Sequence, residues 1–172
     1  LDKVILVSNT FGNSLVQEFE DRDDVISTVL TGPRRKFEKM PPRKVLDWFY
    51  RSGSFKPKIA KKIFFSDDTK YSVVKDFMQT LEKPDYSDFK SFLEGYKVSR
   101  PSKQSLVIHA GDDRFSDLDF ARELEPNASL SKLDAAGSFS FFEKPQDFNK
   151  ALIDFIGIVK DRAETEKFME IK

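Results

Sequence analysis

The sequence predicts an α/β protein in which three parallel strands are flanked by helices, and three observations carry that prediction. Lys3–Ser8, Ser105–His109 and Ser129–Leu133 have the length of buried strands, and each runs into polar or turn-forming residues. Between and after them, apolar side chains recur at helical spacing. The 172 residues, 39% of them hydrophobic, are enough to bury one core.

In the first strand Val4, Ile5, Leu6 and Val7 are apolar on both faces, as an interior strand requires. Helical faces follow at Val45, Leu46, Phe49 and Tyr50, at Val73, Val74, Phe77, Met78 and Leu81, and at Phe89, Phe92, Leu93 and Tyr96. Gly32-Pro33, Pro41-Pro42, Ser52-Gly53 and Pro84 punctuate them as turns. The eighteen Phe are spread along these segments and read as packing rather than as one ligand pocket. Leu106 to His109 is a buried-strand run that enters the turn Ala110-Gly111-Asp112-Asp113. Ser116, with Asp119 three residues on, reads as a helix N-cap, so Asp117 to Glu125 is the expected crossover helix. After the strand at Ser129 to Leu133 comes AAGSFSFFEKP, where Pro145 suits a first helical position. Phe148, Ala151, Leu152, Phe155 and Val159 then recur on one helical face.

The segment LVIHAGDDRFSDLDFARELEPNASLSKLDAAGSFSFFEKPQDFNKALIDF, Leu106 to Phe155, resembles the C-terminal end of an α/β-hydrolase in the order of its parts: strand, acid turn, helix, strand, base loop, helix. Asp113 stands where the family's G-x-x-D turn has its acid, although Ala110 replaces the first glycine. Ser138 stands where the family's G-H-F pattern has the catalytic histidine. The strand Lys3–Ser8, followed by Asn9, Thr10 and Phe11, resembles the strand after the nucleophile elbow, and no G-x-S-x-G occurs in the chain. The resemblance therefore implies the C-terminal part of an α/β-hydrolase fold, with the nucleophile upstream of this chain. Residues 1–10 and 104–172 are the expected core segment, and 11–103 the expected helical lid.

For function the resemblance implies a degenerate site at Asp113 and Ser138. A serine hydroxyl hydrogen-bonds to a carboxylate but has no basic nitrogen to cycle a proton near neutral pH. A module that works by binding or interaction, similar in this respect to the maspardin-type proteins, is the expected function. The alternative is the C-terminal part of an active serine hydrolase acting on ester or acyl substrates. His109, the only histidine, falls where the family has a structural His-Gly in the turn.

Composition narrows the remaining classes. Twenty-nine basic and twenty-nine acidic residues cancel, so no overall field favours nucleic acid, and no nucleic-acid motif accompanies the charge. Without cysteine there is no disulfide, thiolate metal site or cysteine nucleophile, and a cytoplasmic location is the expectation. One histidine leaves no His-based metal cluster, and Asp112, Asp113, Asp117 and Asp119 lack calcium-loop spacing, so no metal and no cofactor is expected. No apolar run reaches the roughly 20 residues of a membrane span. Eleven Lys or Arg between Arg34 and Lys62, against Glu38 and Asp47, mark a basic stretch of the lid that could face an acidic partner. The strand at residues 3–8, if left without a neighbour, is expected to pair with the missing half of the fold or with a second copy, making an oligomer.

Overall fold

Adjacent residues of a strand point to opposite faces, and a parallel strand covered on both faces must be apolar along its whole length. A computed structural model describes residues 3–35, 56–80, 95–124 and 127–170, with side chains to residue 162. In it β1 (Val4–Asn9), β2 (Val25–Thr31), β3 (Ser105–Ala110) and β4 (Ala128–Leu133) form one parallel sheet in the order β1-β2-β3-β4. The helices are α1 (Gly12–Phe19), α2 (Pro57–Phe64), α3 (Tyr71–Thr80), α4 (Leu118–Glu123), α5 (Ser140–Glu143) and α6 (Pro145–Glu170).

Two expectations about the sheet and lid need correction. The three anticipated strands do not lie side by side, because β2 separates β1 from β3. The anticipated lid cannot begin at residue 11, since β2 belongs to the sheet and α1 packs on it. The run Val25-Ile26-Ser27-Thr28-Val29-Leu30-Thr31 was hard to recognise because three of its seven residues are polar. Two of these are buried on hydrogen bonds to β3 and the residue before it: Ser27 Oγ donates to the Gln104 carbonyl at 2.5 Å, and the Thr28 and Ser105 hydroxyls are 2.8 Å apart. A polar residue so satisfied costs a central strand little. Of the expected lid helices, Val73, Val74, Phe77 and Met78 lie on α3. The faces at residues 45–50 and 89–93, and most of the basic stretch 34–62, lie outside the described residues.

Both sheet faces are covered. Val29, Leu106, Ile108 and Leu133 pack against Phe148, Phe155 and Val159 of α6, the stripe read from the sequence. Leu30 and Val107 face the other way, onto Phe120, Ala121 and Leu124, with Val16 of α1, Tyr96 and Val98. A third cluster, Ala60, Phe65, Val74 and Phe77, joins α2 to α3. The N-cap of α4 is Asp117, not Ser116: its carboxylate accepts from the Asp119 and Phe120 amides at 3.0 and 3.1 Å. Among the described residues β1 is an edge strand, with Val4 and Val7 exposed, and no helix is long and apolar enough to cross a membrane.

Phe155 is 2% exposed at the centre of the α6 face. Replacing it with alanine removes a ring the surrounding strands cannot collapse onto, and should lower unfolding stability by about 3–5 kcal/mol, read as a fall in the urea midpoint at unchanged slope.

Candidate functional site

The carboxyl ends of all four strands converge on one place, and each contributes a residue through the turn that follows it. Ligand sites in open α/β sheets form at such ends.

The turn after β1 is the sharpest. Thr10 has φ +40, a left-handed conformation that costs a β-branched residue on the order of 1–3 kcal/mol, and α1 begins two residues later at Gly12. The Thr10 amide donates to the Thr31 carbonyl at 2.8 Å, and its carbonyl accepts the Tyr96 hydroxyl at 3.1 Å. Burial pushes that hydroxyl up to about 12. Strand, strained residue and helix are the arrangement of a nucleophile elbow, in which the reactive hydroxyl sits on the strained residue. Ser8-Asn9-Thr10-Phe11-Gly12 occupies the G-x-S-x-G register, with serine for the first glycine and threonine for the nucleophile. The expectation that β1 follows a strand–turn–helix of this kind meets a different local geometry: β1 itself runs into the left-handed Thr10 and then α1. A search for G-x-S-x-G passes over it. The legible signal was a strand, a hydroxyl residue and a glycine two positions on.

The turn after β2 carries Gly32 at φ +58. A Cβ there would stand 2.6 Å from Asp113 Oδ2 and 3.3 Å from Thr10 Oγ1, so only glycine leaves the two side chains their positions. The turns after β3 and β4 supply the two residues singled out from the sequence, and the structure brings them together. The Ser138 hydroxyl donates to Asp113 Oδ1 at 2.5 Å, and the Phe115 amide donates to the same oxygen at 2.9 Å. Both residues are buried, at 3% and 7% exposure. At these strand ends Asn9 Oδ1, Thr10 Oγ1, Thr31 Oγ1 and Asp113 Oδ2 have no hydrogen-bond partner among the described residues.

Aromatic rings from α2, α3 and the two loops that carry this pair stack on one another. Phe64 of α2 stacks on Phe115 at 5.2 Å and lies 5.9 Å from Phe139, while Phe77 of α3 is 4.6 Å from Phe139. Glu143 of α5 pins the segment between α2 and α3 onto the Ser138 loop. It accepts from the Ser66 amide and the Gly137 amide, each at 2.8 Å, and from the Thr69 hydroxyl. The Ser66 hydroxyl donates to Asp112 Oδ2 at 2.5 Å, and the Ser138 amide donates to the Phe64 carbonyl at 2.7 Å. Gly137 has no room for a side chain, because a Cβ would fall 2.4 Å from the Phe64 carbonyl oxygen. None of Thr10, Gly32, Ser66 or Glu143 was singled out from the sequence as a site residue.

His109 does not stand in for the missing base. Its Nδ1 is 2.7 Å from the Ser116 hydroxyl, and burial lowers its pKa against the opposing pull of the Asp113 charge. No group of three or more His, Asp or Glu suited to a metal ion occurs among the described residues. A cleft of about 630 Å³ opens at the opposite, amino-terminal end of β2 and β4, lined by Val25, Gln104, Asn127 and Arg162 among others. Its polar groups include Lys103, which donates to the Arg22 and Val25 carbonyls, and Arg162, which donates to Gln104.

No protein-family model matches the chain, and no curated protein matches it in sequence. Solved structures do match its fold. An esterase from Thermogutta terrifontis superposes with a TM-score of 0.67 at 17% identity, covering 92% of this chain and 66% of its own. A putative non-heme bromoperoxidase, BpoC, from Mycobacterium tuberculosis gives 0.70 at 22% identity, over 91% and 67%. An esterase from Exiguobacterium antarcticum gives 0.69 at 15% identity, over 91% and 68%. The fold is thus that of part of an α/β-hydrolase, and the chain spans about two thirds of the length of these structures.

Burial raises the Asp113 carboxyl above its ordinary value, against the Ser138 and Phe115 hydrogen bonds, which favour the charged form. Between the ordinary and the raised value the native state binds more protons than the unfolded chain, so stability is greatest below that window and falls as pH rises through it. In D113N this fall should vanish from a plot of thermal midpoint against pH, and persistence of the same slope would show that another group causes it.

Proposed function

We propose that this chain is a hydrolase-fold module that binds a ligand or partner and does not run Ser-His-Asp chemistry. The observation that supports the reading is the Ser138 hydroxyl donating to Asp113 at the position where a base should bridge acid and nucleophile. A triad base must take the nucleophile's proton and later return it, which needs a nitrogen whose pKa lies near the working pH. Ser138 has none, and His109 is engaged with Ser116. Removing the base from an intact triad costs on the order of 10⁶ in kcat. The Thr10 hydroxyl at the elbow is therefore left without activation. That the elbow register lies inside this chain also weakens the alternative of an active hydrolase with its nucleophile upstream.

The test is turnover of p-nitrophenyl acetate. Wild-type protein should release nitrophenol no faster than T10V or buffer, whereas T10S combined with S138H, which places a serine and an imidazole at the triad positions, should exceed both. Turnover by the wild type that T10V abolishes would overturn the reading.

A further inference from the structure

Among the described residues β1 bounds the sheet with a strand that contains neither charge nor proline, and its exposed side chains are apolar: Val4 is 38% and Val7 49% exposed. Charges and prolines are the usual protection of an edge against pairing with another chain. Lys3, which precedes the strand, is turned back, its ammonium donating to the Asp23 carbonyl at 2.8 Å. Helix α1 extends the same surface. One of its flanks faces the segment that leads into β3, where Gln17 Nε2 donates to the Ser99 carbonyl at 2.7 Å and the Ser99 amide donates back to Gln17 Oε1 at 2.9 Å. Residues two positions apart lie about 200° from one another around a helix. Leu15 and Phe19 therefore occupy the opposite flank, on the side of the β1 edge, and are 49% and 48% exposed.

The hydrogen bonds on the inner side of β1 fix what its outer side offers. The Val4 amide donates to the Asp24 carbonyl and the Thr10 amide to the Thr31 carbonyl, both at 2.8 Å, so the even-numbered residues face β2. The N–H and C=O groups of Ile5, Val7 and Asn9 point outward, and the left-handed Thr10 ends the series. This set is symmetric about Val7. An antiparallel copy of β1 with its Val7 opposite this one sets Ile5 opposite Asn9 in both directions, and every such pair exchanges two hydrogen bonds. The same two-fold axis brings the two α1 helices side by side on one face of the sheet, with Leu15 and Phe19 of each turned toward the other. The contact is closed and isologous. We propose that the β1 edge binds a second copy of this chain, the two β1 strands pairing antiparallel about Val7 into one continuous sheet. The match of the edge to itself is what selects a second copy over an unrelated strand, and it is independent of the chemistry at Thr10 and Ser138.

Light scattering at micromolar concentration tests the assembly, and disulfide trapping tests the register, since the chain has no cysteine of its own. The wild type should have twice the mass of the chain. V7K, which puts a charge on the axis, should have the mass of one chain with an unchanged circular dichroism spectrum. Hydrogen-bonded antiparallel pairs have Cα atoms about 5.5 Å apart, within disulfide reach. V7C should therefore cross-link to itself on mild oxidation, and so should a mixture of I5C and N9C. I5C alone should not, because four residues of strand, roughly 13 Å, separate it from its own copy. A monomeric wild type overturns the proposal, as does a dimer that V7K leaves intact or self-cross-linking of I5C at the rate of V7C. Should V7K fail to fold, the cross-linking pattern of V7C, I5C and the mixture carries the test by itself.

Discussion

The hydrogen bond from Ser138 to Asp113 organises the upper half of this molecule. It ties the loop after β4 to the turn after β3, and together with the Phe115 amide it lets a carboxyl group be buried with no ion pair among the described residues. The geometry has an internal cost. Desolvation still outweighs the hydrogen bonds, so the carboxyl is held above its ordinary value, and only one of its oxygens is satisfied. Gly32 completes the arrangement by omission, since any Cβ there would collide with the second oxygen.

Above this bond the chain is held by backbone and carboxylate contacts as much as by rings. Glu143 collects donors from Ser66, Thr69 and Gly137, and the Phe64 carbonyl accepts the Ser138 amide through a space that Gly137 keeps clear. The abundance of Phe thus serves two purposes. Phe148 and Phe155 fill the sheet–helix core, while Phe64, Phe77, Phe115 and Phe139 pack ring on ring at the carboxyl end of the sheet.

Strain marks the same place. A threonine with φ +40 persists only where its surroundings over-determine it, and here a strand hydrogen bond on one side and the Tyr96 hydroxyl on the other do so. Among the described residues no side chain bonds the Thr10 hydroxyl, although the strand–turn–helix backbone around it is held on both sides.

The sequence by itself determined the α/β class, the pairing of β3 with β4, the apolar stripe of α6 and the identities of Asp113 and Ser138 as neighbours. These follow from local information: apolar runs of strand length, Pro145 at a helix start, 3.6-residue periodicity, and an acid and a serine at fixed offsets from successive strands. Only the tertiary structure decided that β2 is a central strand, because Ser27 and Thr28 are acceptable in a core solely through partners 77 residues away. It alone gave Thr10 its left-handed backbone as well, since φ +40 is set by the contacts around the turn and not by the residue type. The meeting of Thr10, Gly32, Asp113 and Ser138 was beyond local reading for the same physical reason: each ends a different strand, and only their hydrogen-bonded, parallel registry brings those ends to one point.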